Sequence, residues 1–241
     1  FIGVESANAI DLELFNKKTT LEDAEKTIEL FRGIDAAVEI GFINIAPTTT
    51  FEGLCENLAF LQKYHFGSFD LLTHKLGLPQ DVPIKKALLK QGLLWGGQDY
   101  DFRDITVKAL VMILNDIERK LNKKAVELYS DISLREVKRH KRYAVMHQDE
   151  EAFSIVMRYE PIIIDLVAIE SDHMCKWFLD LLKMIVHAKP QSDIMAMSNQ
   201  YINDEHMKIA IKYFKGLEKS LNDELDQIYT RRAEADAATS D

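Results

Sequence analysis

Residues 37–61 read AVEIGFINIAPTTTFEGLCENLAFL, and the parsing of this stretch decides the fold. Val38, Ile40, Phe42, Ile43 and Ile45 form a short apolar run rich in β-branched residues, the pattern of a strand covered on both faces in a parallel sheet. Pro47 stops it. Thr49, with Glu52 three residues on, reads as a capping box, and Phe51, Leu54, Leu58 and Leu61 recur at helical spacing. A helix with one apolar stripe is therefore predicted. The strand's carboxyl end opens on the loop 44–50, the edge at which α/β proteins bind ligands because loops and helix amino termini converge there.

On the amino-terminal side, Phe1 to Val4 reads as a first strand, with Glu5, Ser6 and Asn8 at its carboxyl end. Thr20 and Asp23 open a helix whose stripe is Leu21, Ala24, Ile28 and Phe31, and Gly33 ends it. On the other side, Ser68 to Thr73 reads as a third strand leading to His74, and Ile84 to Leu89 as a short helix. Strand and helix thus alternate three times, which implies βαβ units and a parallel sheet. From Phe102 onward the pattern is helical. Ile105, Ala109, Met112, Ile113 and Ile117 share a face that extends toward Tyr129, Pro161 is expected to start or kink a helix, and Pro190 breaks the chain again. The predicted fold is an α/β partial (β/α) barrel segment over 1–98 followed by an all-α domain over 99–241. Because FIGVES has no methionine ahead of it and already reads as a strand in progress, an upstream part or another chain is expected to supply the neighbouring strand.

Composition narrows the function classes. The chain has 241 residues, 47% of them hydrophobic, with 30 basic and 39 acidic side chains and a net charge of -9. That charge argues against nucleic acid held by bulk electrostatics and against binding to anionic membrane. No apolar run reaches the roughly 18 residues of a membrane span, so the expectation is a cytoplasmic protein. The two cysteines, Cys55 and Cys175, make no CxxC and lie among apolar residues, which points to buried thiols in a reducing compartment.

Three further signals resolve toward structure. Glu170 and His173 have the E-x-x-H spacing of di-iron bundles, but no second such pair accompanies them. Arg135, Lys138, Arg139, Lys141 and Arg142 form a basic run, read as a solvated face or as intramolecular pairing. Gly96 and Gly97 lie in a polar loop without a following GK[ST], and there is no G-x-S-x-G.

Four phrases in order, FIGVESAN (1–8), DLELFNKKTTLEDAEKTIELFRGI (11–34), VEIGFINIAPTTTFEGLCENLAFL (38–61) and FDLLTHKLGLP (69–79), resemble the carboxyl-terminal half of the radical S-adenosylmethionine barrel. The nearest group is the one whose members often carry a cobalamin domain ahead of it. The resemblance rests on Gly3, Glu5 and Ser6; on Asn16, Lys17 and Thr20; on Gly41, Phe42, Ile43, Pro47, Thr49, Thr50, Glu52 and Leu54; and on Asn57, Leu58, Phe60 and Leu61. It implies a TIM-barrel-like half domain, S-adenosylmethionine chelated to a [4Fe-4S] cluster held by CxxxCxxC, a 5′-deoxyadenosyl radical, and cobalamin in some members. This chain has no CxxxCxxC, and three thiolates are needed for the cluster. The cluster ligands are therefore expected on a missing amino-terminal half or a partner chain. By position, Glu5, Ser6 and Asn44 are the candidate cofactor-binding residues, and Thr73 and His74 the candidates that face a small-molecule or peptide substrate. The alternative reading is a non-catalytic helical interaction module on a degenerate α/β half-domain.

Overall fold

The computed structural model describes residues 1–80, 82–95, 99–120, 130–202 and 204–239. The expected extension of the helix toward Tyr129 and the Gly96–Gly97 loop lie outside the described residues. In order, the elements are β1 (Ile2–Glu5), α1 (Ala9–Leu14), α2 (Leu21–Gly33), β2 (Ile40–Phe42), α3 (Phe51–Lys63), α4 (Phe69–Thr73), α5 (Ile84–Lys90), β3 (Leu94–Trp95), β4 (Asp99–Tyr100), α6 (Ile105–Lys120), α7 (Ser130–Met146), α8 (Glu150–Val186), α9 (Gln191–Ile202) and α10 (Glu205–Thr239).

The predicted α/β partial (β/α) barrel segment is not what the chain forms. Helices account for most of the described residues. Its only parallel sheet among the described residues is the pair β1–β2, with Ile2 opposite Ile40 and Gly3 opposite Gly41. The third predicted strand is helix α4. Ser68 decides this, because its hydroxyl accepts from the Leu71 amide and so caps a helical turn, and a short apolar run such as FDLL does not by itself distinguish strand from helix. What remains of strand pairing there is one isolated parallel bridge, Ile45 to Lys75. β3 and β4, which the sequence reading did not foresee, pair antiparallel.

Local chemistry starts several of the helices. Asn8 caps α1 by accepting from the Ile10 and Asp11 amides. Thr20 and Asp23 form the expected capping box at α2. At α3 the cap falls one residue later than predicted. Thr50 accepts from Gly53, and the Phe51 amide donates to Asp104 at 2.9 Å, which frees the Thr49 hydroxyl for other work. Asp149 accepts from the Ala152 amide ahead of α8 and is held by Arg232. That helix runs on through Pro161, where a start or a kink was expected. Pro161 is exposed, so the hydrogen bond its missing N–H forgoes leaves a carbonyl that water can reach.

The chain divides into two compact units. The first takes the described parts of 1–34, 38–127 and 171–202, and its core packs Phe42, Leu54, Leu61, Leu110 and Leu114 with Trp177 and Phe178. The second takes 35–37, the described parts of 128–170, and 204–239, and its core joins Val137, Val156 and Ile163 to Phe214, Leu221 and Leu225. Three members of its basic run are paired internally: Lys138 and Lys141 both meet Glu160 and Asp35, and Arg139 meets Glu136.

Two substitutions test this packing. A methyl placed on Gly67 would lie 2.3 Å from Cys175 Sγ and 2.6 Å from the Ser171 carbonyl oxygen, while one on Gly33 meets nothing. Gly67→Ala is expected to lower the unfolding free energy by about 3 kcal/mol, whereas Gly33→Ala at the end of α2 raises it by about 0.5 kcal/mol, both read by urea denaturation. Glu160 is 4% exposed between two lysines. Glu160→Ala leaves both lysines to share Asp35 alone and is expected to cost about 3 kcal/mol in the same measurement.

Candidate functional site

The candidate site is the carboxyl end of β1 and β2, within the first unit. β1 terminates on Glu5, whose φ of 68° places a non-glycine residue in the left-handed region and turns the chain sharply. The irregular register between Gly3 and Glu5 records this turn. The Glu5 carbonyl still accepts from the Ile43 amide at 2.6 Å. Its carboxylate pairs with Lys17 at 3.0 Å, with 27% of the side chain exposed.

Beyond Glu5 the strand ends are joined by one buried amide. Asn57, on the stripe of α3 that carries Leu54, Leu58 and Leu61, is fully buried. Its Oδ1 accepts from the Ser6 hydroxyl at 3.0 Å and the Ala7 amide at 2.8 Å, and its Nδ2 donates to the Asn44 carbonyl at 3.1 Å. Asn44 in turn donates through Nδ2 to the Leu72 carbonyl at 2.6 Å, and its Oδ1 is buried without a hydrogen-bond partner. Asn8 donates to Glu56 at 2.7 Å across Gly53, where a methyl would approach the Asn8 amide to 2.9 Å.

A second knot lies alongside. Asp11, fully buried on α1, accepts from the Thr48 hydroxyl at 2.7 Å and the Thr49 hydroxyl at 2.6 Å, and Thr49 Oγ1 accepts from the Ala46 amide. Burial pushes the Asp11 carboxyl above its ordinary value. The Thr49 and Thr48 hydroxyls and the charge of Arg103 counteract this only in part, and Glu56 adds to it.

The structure thus brings Ser6 and Asn44 together through Asn57, and both are 0% exposed. Thr73 is buried and its hydroxyl donates to the Phe69 carbonyl at 2.8 Å. His74 is exposed, and only its carbonyl takes part, accepting from the Ile45 amide at 3.0 Å. Glu5 stands apart on Lys17. Nothing in the sequence marks Asn8 or Asp11 as a site residue, and Asn57 stands out only within the resembling phrase that ends at Leu61. The signal for Asn57 was an amide on an otherwise apolar helical stripe.

Thiolate chemistry does not fit this chain's own residues. Cys55 and Cys175 are both free. Burial raises the Cys55 thiol with help from Glu52 and Glu56, and burial pushes Cys175 up to about 12. Among the described residues no three His, Cys, Asp or Glu side chains are grouped to hold a metal ion. His173 of the E-x-x-H pair lies 3.3 Å from the Tyr201 carbonyl oxygen. Among the described residues no helix is long and apolar enough to cross a membrane. No protein-family model, curated protein or solved structure matches the chain.

The raised Asp11 carboxyl fixes a sign. The folded protein holds this proton more tightly than the unfolded chain, so the stability it contributes is present below the ordinary value of 3.8 and is lost as pH rises through the folded value. Asp11→Asn removes that loss. Its stability relative to the parent protein is expected to rise with pH across this window, in urea denaturation at a series of pH values, and the Asp11 carboxyl ¹³C resonance is expected to titrate above 3.8.

Proposed function

We propose that this chain is the carboxyl-terminal portion of a radical S-adenosylmethionine enzyme and forms part of its cofactor and substrate pocket, with the cluster-binding part upstream or on another chain. One observation carries the reading. The polar residues of the phrases that resemble that family converge on one end of a parallel strand pair: Glu5 of the first phrase pairs with Lys17 of the second, and Ser6 of the first is bonded to Asn57 in the helix that follows β2. Asn57 then reaches Asn44 at the mouth of β2.

In this reading Glu5 and His74, whose side chains reach solvent, contact ligand: Glu5 accepts from the sugar hydroxyls or ammonium of S-adenosylmethionine, and His74 faces substrate. Ser6, Asn44 and Thr73, being buried, set the backbone that presents them. The [4Fe-4S] cluster is supplied by residues outside this chain, and cobalamin use is a property of that same missing part. The burial of Ser6 and Asn44 favours one competing reading, a helical interaction module in which the strand ends serve packing alone.

The two readings separate on the intact gene product purified anaerobically. The enzyme reading expects about four irons and matching sulfide per cluster-bearing chain. It also expects release of 5′-deoxyadenosine from S-adenosylmethionine under reduction, and a Kd for S-adenosylmethionine raised on the order of tenfold in Glu5→Gln. A gene product of 27.7 kDa with no iron and no 5′-deoxyadenosine overturns it.

A further inference from the structure

Three charges meet inside the second unit: Lys138 and Lys141, one turn apart on α7, and Glu160 on α8. Glu160 is 4% exposed, and the lysine side chains are 13% and 19% exposed. The trio sums to one positive charge, and an unpaired charge held away from water is unstable. Asp35 supplies the missing negative charge. It pairs with Lys138, and with Lys141 at 2.5 Å, yet its own side chain is 47% exposed, so it is the outermost member.

Asp35 does not sit on a helix. It belongs to the three-residue segment 35–37, which connects α2 to β2 and groups with the second unit. Its φ of 60° is a conformation that an L side chain rarely adopts, so the ion pairs hold the segment against the preference of its own backbone. Burial opposes ionisation of Asp35, but the hydrogen bonds from Lys138 and Lys141 outweigh it and keep the carboxyl below its ordinary range. The other charges on this part of α7 are otherwise engaged or turned to solvent: Arg139 pairs with Glu136, and Arg142 is exposed.

We propose that Asp35 is a detachable clasp: its carboxylate plugs the cationic socket made by Lys138 and Lys141, and a dissolved anion that takes its place releases the connector 35–37. The gradient of exposure is the basis for a clasp rather than a fixed core pair. Glu160 is only 4% exposed, whereas Asp35 exchanges one set of cations for hydration and relieves a left-handed backbone when it leaves.

Amide hydrogen exchange on the full chain tests this. Sodium chloride raised to about 1 M, where screening acts within roughly 3 Å, is expected to speed exchange over residues 34–38 on the order of tenfold. Asp35→Asn tolerates the same φ without the charge, and is expected to show that faster exchange at low salt with no further response to chloride. Asp35→Gly, which also removes the backbone strain, is expected to match it. The Ile2 amide, which donates to the Glu39 carbonyl at 2.8 Å in the first unit, serves as the control and stays protected throughout. Equal exchange in Asp35→Asn and the parent protein overturns the proposal. So does a parent protein indifferent to salt, and so does a variant that loses protection at Ile2 as well.

Discussion

The side chain of Asn57 is the constraint on which the amino-terminal part of this protein depends. A two-stranded parallel sheet has few ladder hydrogen bonds, and its strand ends expose backbone groups that need partners. One buried amide answers for several of them: it takes the Ser6 hydroxyl and the Ala7 amide on one side and gives to the Asn44 carbonyl on the other. Because Asn57 lies on the same stripe as Leu54, Leu58 and Leu61, seating α3 on the apolar core and tying the strand ends are a single event. Gly53 on that helix leaves the room that Asn8 needs to approach.

Two kinds of buried polar group result, and they differ in what they can do. Ser6 and Asn57 are satisfied, so they confer rigidity and a defined register. Asn44 Oδ1 and the Asp11 carboxyl are not balanced in this way, one having no donor and the other only two hydroxyls and the charge of Arg103 against its desolvation. Unbalanced polar groups at the carboxyl end of strands are where binding chemistry concentrates, and this physical reason keeps the functional proposal at this edge. The second unit shows the contrasting solution. Its buried charges are matched by position, with Glu160 between two lysines and Asp35 closing the set from outside.

Much of this was legible along the chain. The capping box of Thr20 and Asp23 and the parallel pairing of the strands around residues 2 and 40 follow from spacing, while for the basic run on α7 charge left a solvated face and intramolecular pairing open, and Lys138 and Lys141 take the second. Where the fold departs from the local pattern, the cause is identifiable. FDLLT reads equally well as a strand or a helix in isolation, and the Ser68 hydroxyl tips it to helix. Thr49 and Thr50 are both competent caps. The one that serves is decided by Asp11, which lies far off in sequence and claims the Thr49 hydroxyl. Without the third strand the barrel reading has no sheet to build on, and the chain is dominated by helices instead.

The sequence by itself determined α2 with its capping box, the strands β1 and β2, and a cysteine count too small for the thiolates a cluster requires, because these rest on residues within a few positions of one another or on a count. Only the tertiary structure decided that Ser6, Asn44 and Asn57 are one network, that Asp11 is buried, and that α8 passes through Pro161 to serve two units. The physical reason is range. A capping hydrogen bond spans three or four residues, whereas the Ser6 to Asn57 bond closes a loop of fifty-one, and its formation depends on the core that brings α3 against the strands.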